Sequence, residues 1–332
     1  MGDPLPQAKQ LVWDFAQDLQ QGPEARRNPD RFLAPQLEWH GIQPLRLLEG
    51  RDAFLERYLQ PLCRAFPDWQ RRPYLFLGGE FEGKVWVAAM GDAIGSFVNE
   101  WRLTPDLVVA PTGFSLRTRY GEFCRVEGGR IAEIRYLMDL PALLLQAGID
   151  LIPPGAAHEV WPPGPATGDG LHHADRDPAE SARTLALVEA MIFGGLNKYD
   201  GRDPDSQDLV EYWHPQMTWH GPRGTGSSLD LDEFRHLAQA PFLRMTPDRK
   251  GVGHRARIAE GHFAASTGWP ASVGTMTGDF LDWPASGREM RLNVMDFWRR
   301  EGDMLREDWV LIDMIDAAAQ AGVDVWRKVG LR

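Results

Sequence analysis

The chain has 332 residues, is 43% hydrophobic, and carries 36 Lys+Arg against 47 Asp+Glu, a net charge of −11. That length predicts two domains, the apolar content excludes a disordered chain, and the acidity excludes nucleic acid or an anionic membrane surface as partner. Two cysteines, Cys63 and Cys124, exclude a disulfide framework; with no apolar run of about 18 residues and no signal-peptide character in MGDPLPQAKQ, a cytoplasmic chain without a membrane span is expected.

In chain order, Leu11, Phe15 and Leu19 recur at helical spacing. The aromatic, glycine-terminated segment Trp39-His40-Gly41 reads as a strand end. Gly50–Phe66 returns to helical spacing and stops at Pro67. From about residue 72 the pattern is extended, with a strand over Arg117–Arg125, a turn at Glu127-Gly128-Gly129, a strand over Ile131–Met138, then Asp139 and a helix ending at Gly148. Residues 153–178 hold six Pro and four Gly, which reads as a linker. After it the same order returns. Leu185, Val188, Met191 and Ile192 mark a helix, Trp219-His220-Gly221 a strand end, and Leu231–Met245 a second helix. Arg291–Arg299 and Leu305–Ile312 follow as strands, then Asp313 and a helix ending at Gly322.

The return is a repeat. Eleven of the 37 positions over Leu33–Trp69 recur 180 residues later, and 13 of the 38 over Gly113–Asp150 recur 174 residues later. Between these blocks Gly91, Gly95 and Phe97 match Gly274, Gly278 and Phe280 at an offset of 183, which predicts nine extra residues in the first copy within positions 98–110. The predicted organisation is a first copy over 1–152, a linker over 153–178 and a second copy over 179–332. Helices ahead of a mostly antiparallel sheet make each copy α+β.

The stretch Gly274-Thr-Met-Thr-Gly-Asp-Phe-Leu-Asp-Trp-Pro-Ala-Ser-Gly-Arg288 resembles the GTHxGxFxGxPPTGR segment of SnoaL-like polyketide cyclases. Phe66-Pro67-Asp68-Trp69 and the Gln-Ala-Gly closures at Gln146 and Gln320 are similar to that family too. The resemblance covers each copy almost end to end. It implies the nuclear-transport-factor-2-like fold, a curved sheet with helices closing a cone-shaped pocket, twice in tandem. It also implies acid/base chemistry without metal or cofactor, through an Asp at the strand end before the last helix: Asp139 and Asp313. The family's GTH histidine is replaced by Met276 in copy 2 and Ala93 in copy 1, which removes that proton relay.

Around those two Asp, two-residue alternation places Glu133 and Arg135 on one strand face of copy 1, and Glu307 and Trp309 on that of copy 2. The repeated His40 and His220 are expected to assist as proton shuttles, and Trp39, Trp219 and Trp309 to wall the pocket. Each Asp also fits a helix N-cap, and Glu133 and Glu307 also fit cross-strand pairing with Arg117 and Arg291. Absent HExxH, CxxC or His-x-His spacing, no dedicated metal site is expected; His254 and His262 are the weak exception. The leading expectation is a lyase, isomerase or cyclase acting on a small carbonyl- or hydroxyl-bearing molecule, the two copies forming an intrachain pseudo-dimer. The alternatives are a non-catalytic ligand-binding or scaffolding protein, and a sugar-directed lyase or hydratase.

Overall fold

A computed structural model describes residues 4–20 and 29–331; Met1–Asp3 of the stretch read for a leader lie outside them. The chain divides into two compact units. Unit 1 comprises Met1–Leu151, Gly168–Asp175 and Trp326–Arg332; unit 2 comprises Ile152–Thr167 and Arg176–Val325. The Pro/Gly-rich stretch is thus shared out, with Ile152–Thr167 counted in unit 2 and Gly168–Asp175 in unit 1. Among the described residues no helix is long and apolar enough to cross a membrane.

Unit 1 opens with α1 (Leu5–Gln20), which buries Phe15 and Leu19 at the spacing the sequence showed, with Val12 rather than Leu11 as the buried residue one turn earlier. Strands β1 (Leu33–His40) and β2 (Leu47–Glu49) lead into α2 (Arg51–Phe54), a π-helical turn (Leu55–Leu59) and α3 (Gln60–Ala65). The wide turn has a local cause: Pro61 has no N–H to give the carbonyl of Arg57, so one rung of the helical ladder is missing. Then come β3 (Gln70–Phe81), β4 (Lys84–Ser96), the small hairpin β5 (Trp101–Arg102) with β6 (Val108–Val109), β7 (Ser115–Glu127), β8 (Arg130–Met138) and α4 (Leu140–Leu145). The main sheet has the order β2-β1-β8-β7-β4-β3, antiparallel throughout except for the parallel β1–β8 pair.

Unit 2 repeats this plan. Helix α5 (Pro178–Gly194) starts on an Asp177 cap that accepts from Ala179 N at 2.9 Å, with Pro178 in the first turn. Strands β9 (Trp213–His220) and β10 (Ser227–Ser228) precede α6 (Leu231–Glu233), a second π-helical turn (Phe234–Gln239) and α7 (Ala240–Met245). Here Pro241 removes the rung to Leu237. The sheet then adds β11 (Lys250–Gly251), β12 (Ala256–Glu260), β13 (Phe263–Thr275), β14 (Glu289–Glu301) and β15 (Met304–Ile312) before α8 (Met314–Ala321). Its order is β10-β9-β15-β14-β13-β11, with β12 also on β13 and β9–β15 the parallel pair. Each unit is therefore α+β with a mostly antiparallel sheet, as the sequence implied.

Repeated motifs carry repeated bonds. Asp68 accepts from Ser96 N at 2.6 Å and from Ser96 Oγ at 2.7 Å; Asp248 does the same to Thr275 at 2.6 and 2.7 Å. Gln146 clips the backbone of Arg117 through both amide atoms, and Gln320 clips Arg291. These bonds correct the alignment between the two blocks. Thr275 corresponds to Ser96, and Gly274 to Gly95, since a Cβ on either glycine would meet the same flanking positions, Phe66 and Trp69 or Thr246 and Arg249. Ser115, the start of β7, comes 19 positions after Ser96, and Glu289, the start of β14, comes 14 after Thr275. The first copy thus carries five extra residues rather than nine, in the segment that holds the β5–β6 hairpin. Met276 is matched by Phe97 rather than Ala93.

Trp-His-Gly has a packing reason as well. The Trp39 ring lies over Gly41 so closely that a Cβ there would fall 1.8 Å from it, and Trp219 over Gly221 gives 2.2 Å. Gly221→Ala is expected to cost about 1–3 kcal/mol by forcing Trp219 from its place, which a denaturant melt of the variant checks.

Candidate functional site

Unit 2 encloses a cavity of about 160 Å³. One wall is β14, from which Val294, Asp296 and Trp298 point inward at every second position; the next is β15, contributing Asp308, Val310 and Ile312. The register sets Trp298 opposite Asp308 and Asp296 opposite Val310. Met191 and Ile192 of α5, Trp213 and Trp219 of β9, and Phe234 and Ala238 of the π-helical turn close an apolar, aromatic surround. Arg249 and His254, from the segments flanking β11, complete the polar set.

Asp296 is the group this surround acts on. Its side chain meets no hydrogen-bond donor or ion-pair partner among the described residues. Burial pushes its carboxyl up from 3.8 to about 7, and the Arg249 charge offsets only part of that rise. The carboxyl is thus divided between acid and base near neutrality. His254 is fixed in the opposite sense. Burial, then the charge of Arg257, push it down to about 4, so it is neutral at pH 7. Arg257, itself paired with Glu189 at 2.6 Å, lies with Nη1 3.1 Å from His254 Nδ1. A guanidinium only donates, so Nδ1 accepts and the imidazole proton is on Nε2. The indole Nε1 atoms of Trp213 and Trp298, both buried, have no hydrogen-bond partner among the described residues. The cavity therefore offers one carboxyl near its midpoint and a neutral imidazole N–H within an apolar, aromatic wall.

Of the candidate site residues read from sequence, Trp219 lines this cavity, and so does His254, which the sequence offered only as a weak metal ligand. Asp313 caps α8, accepting from Asp316 N at 3.0 Å, and Asp139 caps α4, accepting from Ala142 N at 3.2 Å; both are buried. Asp313→Ala is expected to cost about 0.5–2 kcal/mol in thermal or denaturant unfolding, the usual loss of an N-cap, and to leave cavity chemistry intact. Glu307 and Trp309 lie on the other face of β15, where the Ile152–Thr167 segment covers them: Ala166 N donates to Glu307 at 3.0 Å and Trp309 Nε1 to Pro163 O at 2.8 Å. His220 is buried with Nδ1 3.1 Å from Ser227 Oγ. Met276 is buried, with Ser286 Oγ 3.6 Å from its sulfur.

In unit 1, Glu133 is bonded by Arg135 Nε at 2.8 Å and Arg125 Nε at 3.1 Å. Burial alone would raise Glu133, but the charge and hydrogen bonds of those two arginines outweigh it and hold the carboxyl below its ordinary value. The cross-strand partners of Glu133 and Glu307 are Arg125 and Arg299, directly opposite in register, instead of Arg117 and Arg291. Arg135 also lies 3.4 Å from His40, which burial and then that charge push down. Glu38, His40 and Glu133 bring ligand atoms within 4.8 Å of one another, the one such group among the described residues, but the two guanidiniums already engage Glu133. Trp39 stacks on Tyr58 at 4.5 Å.

Residues 199–321 match the SnoaL-like polyketide cyclase model. This SnoaL-like match falls within unit 2 and spans Asp296, Asp308 and Trp219. Solved structures similar to the chain include AclR, a candidate hydroxylase from Streptomyces galilaeus, at 16% identity over 43% of this chain and 97% of that one, with a TM-score of 0.36. IdmH, a candidate polyketide cyclase from Streptomyces antibioticus, gives 21% identity over 43% and 99%, with a TM-score of 0.34. A candidate SnoaL-like polyketide cyclase from Jannaschia sp. CCS1 gives 18% over 45% and 95%, with a TM-score of 0.35. No protein of curated function matches the chain.

Proposed function

We propose that the SnoaL-like unit 2 is an acid/base catalyst that moves a proton on a small carbonyl-bearing, ring-sized molecule held in the aromatic cavity. The observation that carries this is Asp296: a carboxyl at its midpoint near pH 7, inside an apolar surround, with no partner to fix it in one form. As base it takes a proton from the carbon next to the carbonyl; the electron pair passes to the carbonyl oxygen, and the enolate is held by donors of the lining. His254 Nε2–H is the neutral donor among the lining residues, and Arg249 the cationic one. Returning the proton at the same or another carbon gives isomerisation; attack of the enolate carbon on a second carbonyl gives cyclisation, with Asp296 as acid to the new alkoxide.

The test needs no knowledge of the product. In D₂O, a panel of small cyclic ketones and 1,3-dicarbonyls is incubated with the protein, and exchange of the α-hydrogens is followed by NMR. Exchange above the buffer rate is expected, with kcat/KM rising as pH passes through about 7, because the base form must be present in free enzyme. A panel in which no member exchanges faster than in buffer overturns the catalytic reading and leaves a binding module.

A further inference from the structure

The two units share a register, so their interiors compare position by position. Tyr120 pairs with Met138, as Val294 pairs with Ile312; Glu122 pairs with Tyr136, as Asp296 with Val310. Arg71 pairs with Ala93, as Gly251 with Ser272, and Tyr58 and Ala238 occupy the two π-helical turns 180 residues apart. Four positions that line the unit 2 cavity with Ala238, Gly251, Val294 and Val310 are therefore Tyr58, Arg71, Tyr120 and Tyr136 in unit 1. Glu122 stands where Asp296 does.

These large side chains fill one another's space. Tyr58 and Tyr136 have centroids 5.5 Å apart, and Tyr120 and Tyr136 stack at 6.2 Å. Arg71 lies 5.0 Å over Tyr120 and 4.9 Å over Tyr136, and pairs with Glu122 at 2.7 Å. All five are buried, and Trp39, the counterpart of the cavity-lining Trp219, stacks on Tyr58. Other lining positions run the opposite way, Leu33 against Trp213, Leu62 against Phe242, Thr118 against Leu292 and Cys124 against Trp298, so the plug rests on the ring and ion-pair contacts of the four large side chains rather than on a tally of sizes.

We propose that, of the two equivalent interiors, that of unit 2 is an open ligand pocket, and that in unit 1 the same space is plugged by Tyr58, Tyr120, Tyr136 and the Arg71–Glu122 pair. The carboxylate of unit 1 is thereby neutralised inside the protein, whereas that of unit 2 faces the cavity. The claim concerns occupancy of space and stands whether or not Asp296 moves protons.

Calorimetry with 2-naphthol, a flat aromatic hydroxyl compound, reads it. The full chain is expected to bind one molecule, and filling unit 2 by Ala238→Tyr with Val310→Tyr is expected to weaken binding at least tenfold. Opening unit 1 by Tyr58→Ala with Tyr136→Val is expected to raise the stoichiometry towards two. If that variant does not fold, the single Tyr58→Ala and the unit 2 filling variant decide. Two sites in the unaltered chain, a site that survives the filling of unit 2, or no saturable binding at all overturns the proposal.

Discussion

Asp296→Asn is expected to lower α-hydrogen exchange by about 10²–10⁴-fold, the usual loss when a general acid/base is removed, with the fold intact. Asn keeps the shape of the carboxyl and cannot accept the substrate proton, so the loss falls in kcat as well as kcat/KM, and the pH dependence near 7 disappears with it. Stability moves in the opposite direction. The folded-state pKa of Asp296 lies above its ordinary value of 3.8, so the native protein holds that proton more tightly than the unfolded chain does. Native stability therefore falls as pH rises from about 4 through about 7, and the full penalty, on the order of a few kcal/mol, is present above that range. Asn carries no such penalty. The variant should melt above the unaltered protein at pH 8 and close to it at pH 4, a pattern thermal denaturation at the two pH values reads directly. A variant that melts lower at both values, or exchanges at the original rate, contradicts the role given to Asp296.

Glu122→Leu is expected to destabilise unit 1 by about 3–5 kcal/mol, because it leaves the Arg71 guanidinium buried without its carboxylate. Burial opposes the charge on Arg71, and Glu122, followed by the tyrosines around it, is what keeps that guanidinium firmly protonated. The double variant Arg71→Leu with Glu122→Leu removes both charges and is expected to recover most of the loss, since a buried pair replaced by apolar groups of like volume is often near neutral. Equilibrium urea unfolding of the two single variants and the double variant gives the coupling. A Glu122→Leu protein as stable as the parent would show that water reaches Arg71.

The elements were readable because their periods differ. Leu11, Phe15 and Leu19 repeat at helical spacing, and the segments around Arg117–Arg125 and Leu305–Ile312 alternate as strands. The repeat was readable because motifs bound to backbone, such as Asp68 and Asp248 or Gln146 and Gln320, tolerate little change. The middle was aligned on glycines, and there it slipped. Gly91 is required where a Cβ would lie 2.3 Å from Arg72 O, beside the bulge in β3, and has no counterpart in Gly274.

The cavity lining was misread for a different reason. On β15, residues of one parity face the cavity and those of the other face away, so choosing Glu307 and Trp309 over Asp308 and Val310 reversed inside and outside. A signal for Asp296 was present. A carboxylate stands in mid-strand among apolar residues in both copies, as Glu122 and as Asp296, but a Glu–Asp change does not register as identity. Asp139 and Asp313 are identical because the helix cap asks the same of both copies.

That the same strand register supports a packed interior in one unit and an open one in the other has a use. The backbone acts as a mould whose hollow is sized by side chains at four places, the π-helical turn, the short strand before His254, and one position each on β14 and β15. Stepping those positions through Ala, Val, Leu and Tyr gives a graded set of hollows on an unchanged frame. Such a series would let the fit of a ring-shaped guest be tuned without redesigning a single loop.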